Sequence, residues 1–286
     1  MRALGEVNGM NYFAFRATFC QMGGYLGKQV IGPKDPSALN QILQGCSFRA
    51  TKDDWIDLPK KIYLTRDVEM SPQQQRHYKE MKTEFLTMIA EQEIDANMVI
   101  TQMLKLQQIS SGFIMDASGV AHRIEGPDTK LAVLHEVLEE STGKVLIFTW
   151  FRETTRVLGE TLRESHRPAM IGGGMVSGQI LEQVERFNND PSCRAMVCQI
   201  QSGKYGLTLL GGEGPDRCST TVFYENSFSL DARLQAEDRN HRIGQDKPVV
   251  YVDLVASAIE RVAINALRKK QDVAAAVIDN RQLFGV

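Results

Sequence analysis

Short apolar runs alternate with amphipathic segments from about residue 126 to the end of the chain, and this alternation constrains the fold more than any other feature. The apolar runs read KVLIFTW (144–150), PAMI (168–171), RAMVCQI (194–200), STTVFYE (219–225) and VVYVDLV (249–255). Such runs are typical of buried strands, and the segments between them have helical periodicity. The alternation predicts an α/β fold with a parallel sheet covered by helices on both faces.

The segments between these runs predict the covering helices. DTKLAVLHEVLEE begins at a plausible cap, Asp128, and SGQILEQVERF, SLDARLQAEDRNHR (229–242) and IERVAINALRKKQ follow further along the chain. In parallel sheets of this kind, ligands bind at the carboxyl ends of the strands. We therefore expect functional residues in the loops that follow residues 150, 200 and 225.

Upstream, residues 67–125 predict a helical subdomain ahead of the α/β domain at 126–286. SPQQ (71–74) has the pattern of a capping box, with Ser71 as cap, Pro72 at the first helical position and Gln74 reaching back. A second helical segment carries Met103, Leu106 and Ile109, and the two helices are expected to pack on each other. KKIYLTRDVEM, just before them, alternates apolar and polar residues as a strand does.

Composition excludes several classes of protein. The 286 residues are 43% hydrophobic and 24% charged, as in a globular protein, and the formal net charge of -2 gives no general attraction to nucleic acid or membrane. The five cysteines include no CxxC pair, so neither a metal site nor a disulfide framework is expected. No signal segment or membrane span is recognisable. We expect a soluble intracellular protein, in the cytoplasm or host cytoplasm, or in the nucleus of a eukaryote.

The stretch QAEDRNHRIGQ (235–245) holds the first candidate site. Within the predicted helix, Gln235, Arg239 and Arg242 are spaced i, i+4 and i+7 and would share one face. Gly244 suits the end of that helix. Two interpretations are open: the arginines face a negatively charged ligand, or Arg242 pairs with Asp238 one turn back and suits the helix C-terminus.

The order of the elements around this stretch favours the first interpretation. KVLIFTWFRETTRVL, SGKYGLTLL and QAEDRNHRIGQ follow one another as motifs IV, V and VI do in superfamily 2 helicases. The chain resembles the second RecA-like lobe of these enzymes, and more closely that of the Snf2 family of ATP-driven DNA translocases. Departures from the family pattern, such as ENSFSL in place of a tryptophan-proline turn, point to a viral or bacterial branch.

The resemblance implies roles for four residues at a nucleotide. Arg242 is similar to the arginine finger of the family and Arg239 to the second arginine of motif VI, so both would act on the phosphates of ATP. Gln235 would help to set the nucleotide-facing helix, and Gly206 would let its loop approach the nucleotide closely. The implied cofactor is ATP with Mg2+, shared with a first RecA-like lobe in the same chain or in a separate one.

The resemblance also implies contacts to the backbone of duplex DNA, from Thr149, Trp150, Ser202, Gly203 and Lys204. The hydroxyl, backbone amides and ammonium group of the last three suit a phosphate. For Trp150 the alternative is a core aromatic at a strand end, and for Lys204 a solvated loop lysine.

Nucleotide binding in such enzymes also needs a GxxxxGK[ST] loop and an acidic motif, and neither is present in the sequence. GGYLGKQ (23–29) has the wrong spacing and ends in Gln29. Residues 1–66 therefore resemble the tail of a first lobe, and we expect this chain to hydrolyse little ATP until a first lobe is supplied. The alternative function is a non-catalytic module that binds nucleic acid or protein and retains the fold of the lobe.

Overall fold

A computed structural model describes residues 11–23, 29–38, 41, 57–90, 95–204 and 206–280. The chain divides into two compact units, Met1–Asp57 and Leu58–Val286. The described part of the first unit has a helix α1 (Tyr12–Phe19) and an antiparallel pair of strands, β1 (Cys20–Gly23) and β2 (Gln29–Pro33). Most of GGYLGKQ lies outside the described residues.

The second unit is built on a parallel sheet of six strands in the order β3-β10-β9-β6-β8-β7. Five of these strands coincide with the five predicted apolar runs, which confirms the predicted fold class. The strands are β3 (Lys61–Asp67), β6 (Val145–Thr149), β7 (Ala169–Ile171), β8 (Ala195–Gln199), β9 (Thr220–Phe223) and β10 (Val249–Val255). A small antiparallel hairpin, β4 (Phe113–Met115) and β5 (Ala121–Arg123), stands apart from the sheet.

Both faces of the sheet are buried. Successive side chains of a strand point to opposite sides, so each strand contributes to a hydrophobic core on either face. In β6, Leu146 and Phe148 belong to the core on one face, whereas Val145 and Ile147 belong to the core on the other. The first face is covered by α7 (Ser177–Asn189) and α8 (Leu230–Glu237), and the second by α4 (Thr129–Glu140) and α5 (Arg152–Thr161). A one-turn helix, α6 (Arg163–His166), follows α5.

The helical pair consists of α2 (Pro72–Ala90) and α3 (Ala96–Ser110). Its capping box is confirmed: Ser71 N donates to Gln74 Oε1 (2.9 Å), and Gln74 N donates to Ser71 Oγ (3.3 Å). The predicted cap of α4 is confirmed as well, since Asp128 Oδ1 accepts from Leu131 N (3.0 Å).

The helical pair shares a hydrophobic core with the end of the chain. Phe85, Met103 and Leu106 pack in one cluster with residues of α9 (Ala258–Arg268) and α10 (Val273–Asp279). In addition, β3 pairs with β10 along its whole length, from Lys61 opposite Val249 to Asp67 opposite Val255. The sheet therefore takes in a strand that lies well before residue 126 in the sequence.

The predicted helix over 229–242 is too long, because α8 ends at Glu237. Gln235, Arg239 and Arg242 consequently do not form one helical stripe. Asp238, Asn240 and His241 have low helix propensity, and the side chains of Asn240 and His241 are used in contacts with other elements. Asn240 is the clearest case: its side chain is buried and donates to Thr221 Oγ1 (2.7 Å) in β9.

Among the described helices, none is long and apolar enough to cross a lipid bilayer.

Candidate functional site

The turn that follows α8 lies against the segment that follows β8, and this contact brings Arg242 to Gly206 and Arg239 to Leu209. Arg242 Nη1 donates to the carbonyl oxygens of Gly206 (3.3 Å) and Leu207 (3.1 Å). The carbonyl oxygen of Arg239 accepts from Leu209 N (2.9 Å). The regions that resemble motifs V and VI are therefore joined by hydrogen bonds.

The two arginines differ in their surroundings. Arg239 is 9% exposed, and burial lowers the pKa of its guanidinium; the neighbouring charge of Arg242 lowers it further. An arginine nevertheless keeps its charge at neutral pH, because its ordinary pKa is so high. Arg242 is half-buried, and Gln235 lies exposed on α8. The site thus presents one shielded and one accessible permanent cation.

Gly206 has a backbone reason to be glycine. Its φ is +52°, in the left-handed region that side chains with a Cβ disfavour. A Cβ at this position would meet no atom within 4 Å, so the space beside it is open. The requirement for glycine therefore comes from the turn itself, and the open space is consistent with a ligand approaching the loop.

Three side chains hold the turn after α8 in place, and sequence analysis did not identify them. Besides the Asn240 contact, His241 Nε2 lies 2.8 Å from the carbonyl oxygen of Pro59. Gln245 Nε2 donates to the carbonyl oxygens of Cys218 (3.0 Å) and Asn240 (3.1 Å). Because Thr221 lies in β9 and Pro59 and Cys218 lie just before β3 and β9, the turn that carries Arg239 and Arg242 is tied to the sheet and has a rigid support.

A buried ionic network fixes α8 itself. Arg233 donates to Glu237 Oε1 (2.9 Å) and to both oxygens of Asp253 (2.5 and 3.2 Å), and Arg268 Nη2 donates to Asp253 Oδ2 (2.6 Å). Burial alone would raise the pKa of Asp253, but the charge of Arg233 and its hydrogen bonds hold that pKa below the ordinary value. Lys61 and Tyr63 of β3 complete the network at Glu237 Oε2 (3.0 and 2.8 Å).

The residues predicted to contact nucleic acid follow β6 and β8 at the carboxyl edge of the sheet. The predicted nucleic-acid contact of Thr149 is corrected. Thr149 is 0% exposed and its hydroxyl lies 2.6 Å from that of Thr155, so its side chain offers no surface for a direct contact. Trp150 is half-buried and packs partly against the core, as its second interpretation predicted, and its contact with nucleic acid stays a prediction. Ser202 is half-buried, and Gly203 and Lys204 end a short 3-10 helix, Ile200–Lys204.

Glu225 organises this edge from the end of β9. Its carboxylate is 1% exposed and accepts from Trp150 N (2.8 Å), Phe151 N (3.0 Å) and Thr154 Oγ1 (2.5 Å). It thereby satisfies backbone donors at the start of α5, where no local side chain caps the helix. Burial raises the pKa of Glu225, and these hydrogen bonds oppose the rise.

Gln199 joins two further loops at the same edge. Its Oε1 accepts from Gly173 N (2.9 Å), and its Nε2 donates to the carbonyl oxygen of Trp150 (2.9 Å). Sequence analysis overlooked Gln199 and Glu225, although a polar residue close to the end of an apolar run was a visible signal in both cases. The loops after β6, β7 and β8 are thus tied together.

Comparison with known proteins identifies the class of domain that the second unit contains. Residues 129–244 match the family described as "Helicase conserved C-terminal domain". The "C-terminal part of Fun30 ATPase domain" superposes with a TM-score of 0.57 at 15% identity, over 73% of this chain and 89% of that one. The "Sulfolobus solfataricus SWI2/SNF2 ATPase core in complex with dsDNA" gives 0.56 at 21% identity, over 91% of this chain and 54% of that one. The chain contains a helicase C-terminal domain with a RecA-like fold.

The chain is also similar to curated helicases of several organisms. "Helicase swr1" of Schizosaccharomyces pombe is 33% identical over 49% of this chain, which corresponds to 11% of that protein. An "Uncharacterized ATP-dependent helicase" of Mycoplasma pneumoniae is 26% identical over 79% of this chain and 22% of that protein. These similarities are in line with the Snf2 resemblance that the motifs indicated, and the chain spans about a fifth or less of these relatives. Because the relatives include bacterial and eukaryotic proteins, the viral or bacterial branch stays a prediction.

Proposed function

We propose that this chain is the C-terminal motor lobe of an ATP-dependent translocase of double-stranded DNA. The observation that carries the proposal is the rigid turn that holds Arg239 and Arg242 against the loop of Gly206. Permanent positive charge on a fixed support is what the transfer of a phosphoryl group requires from a protein.

Arg242 is the residue we assign to the γ-phosphate of ATP. ATP supplies the phosphoanhydride bond whose hydrolysis drives such motors. The guanidinium is half-buried, so it is accessible, and its planar donors suit two phosphate oxygens at once. In this assignment Arg239, buried behind it, adds positive charge and anchors the turn, while Gly206 keeps the approach free of a side chain.

The remaining parts of the nucleotide site are assigned to a first RecA-like lobe. Within the described residues, no three His, Cys, Asp or Glu side chains are grouped so that they could hold a metal ion. We assign the carboxylates for Mg2+ and the loop that wraps the phosphates to that lobe, in the same protein or in a second chain, because the sequence has no GxxxxGK[ST] loop.

The nucleic-acid contacts are assigned to Trp150, Ser202, Gly203 and Lys204, without Thr149. These residues follow neighbouring parallel strands, β6 and β8, so they meet at one edge of the sheet. Such contacts position a duplex through its backbone and do not read its sequence. The bound duplex named for the Sulfolobus relative is consistent with this assignment.

One observation favours a second candidate, a module that binds nucleic acid or protein without hydrolysing ATP. The guanidinium of Arg242 is already engaged by two backbone carbonyls, so it has a structural role without any nucleotide. In that case, Arg242 would stabilise the turn and contribute nothing to turnover.

Complementation tests the proposal. The chain is purified alone, mixed with a polypeptide that carries the P-loop lobe of the same motor, and assayed for ATP hydrolysis with and without duplex DNA. We expect little hydrolysis by either half alone and hydrolysis stimulated by DNA in the mixture. Strong hydrolysis by this chain alone, or an inactive mixture of two folded halves that bind each other, would contradict the proposal.

A further inference from the structure

Arg152 is an exposed cation that the fold does not explain. It is the first residue of α5 and follows Trp150 and Phe151 at the carboxyl end of β6. Within the described ranges, no hydrogen-bond acceptor or carboxylate partners its guanidinium. Arg156 on the same helix differs, because it is paired with Glu153 (2.6 Å) and Glu160 (2.7 Å).

The position of Arg152 is unfavourable for a cation. The first turn of a helix carries partial positive charge, which repels a positive side chain. The backbone donors just before α5 are already satisfied by Glu225, so they do not form an anion site themselves. Arg152 therefore needs another source of negative charge to be useful at this place.

Gly173 makes room for the guanidinium of Arg152. A Cβ on Gly173 would lie 2.5 Å from Arg152 Nε and 2.8 Å from Nη2, closer than such atoms approach each other. The backbone φ of Gly173 is outside the left-handed region, so glycine is not required there by the turn. What glycine provides is the space in which the arginine side chain lies across the loop after β7.

The support beneath this arginine is shared with the proposed nucleic-acid contacts. Gln199 bonds both to Gly173 N and to the carbonyl oxygen of Trp150, and Ser202 Oγ lies 3.5 Å from Gln199 Oε1. Arg152 thus lies over a loop that is fixed to Trp150 and Ser202. Its free charge is at the same edge of the sheet as they are.

We propose that Arg152, seated over Gly173, contacts a phosphate of the nucleic-acid backbone. The inference rests on the proposed function, because it adds a cation to the same interface. Guanidinium groups bind phosphate oxygens through paired hydrogen bonds, and each phosphate neutralised by the protein releases counterions. Glycine at position 173 is then a positioning requirement for Arg152 and not for the fold.

The test measures binding of a short fluorescent DNA duplex by the 286-residue chain over a range of salt concentrations. We expect Arg152→Ala to weaken binding about tenfold and to reduce the slope of log affinity against log salt by about 1, whereas Arg152→Lys keeps the slope. Gly173→Ala should weaken binding alone but have no effect in the Arg152→Ala background, because its Cβ acts only by displacing the guanidinium.

Arg156→Ala and Gly178→Ala are the matched controls, since Arg156 is already paired and a Cβ on Gly178 meets nothing within 4 Å. Both should bind as the wild type does. If the wild-type chain bound and Arg152→Ala bound equally with an unchanged slope, the Arg152 contact alone would be overturned. If Gly173→Ala weakened binding equally in both backgrounds, its positioning role would be overturned. If the folded wild-type chain bound no duplex, the proposed nucleic-acid interface would fall together with the contact.

Discussion

Replacing Asp253 by asparagine should destabilise the lobe strongly, because Asp253 is the buried anion between two arginines. Its side chain is 0% exposed and accepts from Arg233, Arg268 and Asn226. Removing one partner of a buried ion pair typically costs about 3–5 kcal/mol, since the other charge is left uncompensated. Arg233 keeps Glu237 at 2.9 Å, so we expect the lower end, about 3 kcal/mol.

Urea unfolding at neutral pH measures this effect. With a slope of about 3 kcal/mol per M, the midpoint should fall by about 1 M. Asp216→Asn is the matched control: Asp216 pairs with Arg194 at 2.6 Å, but the two side chains are 35% and 37% exposed. Exposed pairs contribute about 1 kcal/mol or less, so the midpoint of the control should move little.

The contribution of Asp253 to the free energy of unfolding should also depend on pH. The pKa of Asp253 is held below its ordinary value of 3.8, so its contribution to stability is complete at neutral pH. This contribution is lost as the pH falls from 3.8, the ordinary pKa, through the lowered pKa of the folded state. The folded protein must then take up a proton on Asp253, and that proton disrupts the ion pair. The gap between wild type and Asp253→Asn should therefore narrow in acid. A midpoint shift no larger than that of Asp216→Asn would refute the reasoning.

Two further substitutions test the loops of the site. Glu225→Ala should cost about 2–4 kcal/mol, because two half-buried backbone donors and the buried hydroxyl of Thr154 lose their acceptor, and it should speed amide hydrogen exchange at Phe151. Glu153→Ala is its control, and equal effects of the two would contradict the assignment. Gly206→Ala should lower stability by about 1–2 kcal/mol in thermal unfolding, since alanine disfavours a φ of +52°. Gly178→Ala should have no such cost, and an unchanged Gly206→Ala protein would show that the turn is not strained.

Local sequence patterns were sufficient for most of the sheet and for the helix starts. The buried strand Val145–Thr149 and the caps at Ser71 and Asp128 follow from apolar runs and from residues three positions apart. These features depend on neighbours in the sequence, so they can be deduced without the fold.

The end of α8 depended on contacts that the sequence does not display. The spacing of Gln235, Arg239 and Arg242 suggested one continuous helix, but Asn240 is held by Thr221, about twenty residues away, and the helix stops at Glu237. Tertiary hydrogen bonds prevailed over local periodicity there.

The side chains that support the proposed nucleic-acid interface could not be predicted from the sequence for the same reason. Glu225 acts on Trp150 and Phe151, and Gln199 acts on Gly173, each across a gap in the sequence that only the sheet closes. The open space that Gly173 leaves for Arg152 is likewise a property of two loops brought together. The motifs indicated where the site lies, and the strand order explains which residues hold it.

The most direct test of the central claim is the rate of ATP hydrolysis by the mixed halves when Arg242 is replaced by alanine. An arginine finger is worth about a thousandfold or more in turnover, so we predict a loss of that size at saturating ATP. Arg163→Ala, an exposed arginine on α6, should leave the rate unchanged. If the Arg242→Ala lobe folded, bound its partner and turned over within a few-fold of the wild-type rate, Arg242 would be a structural residue and the assignment would be wrong.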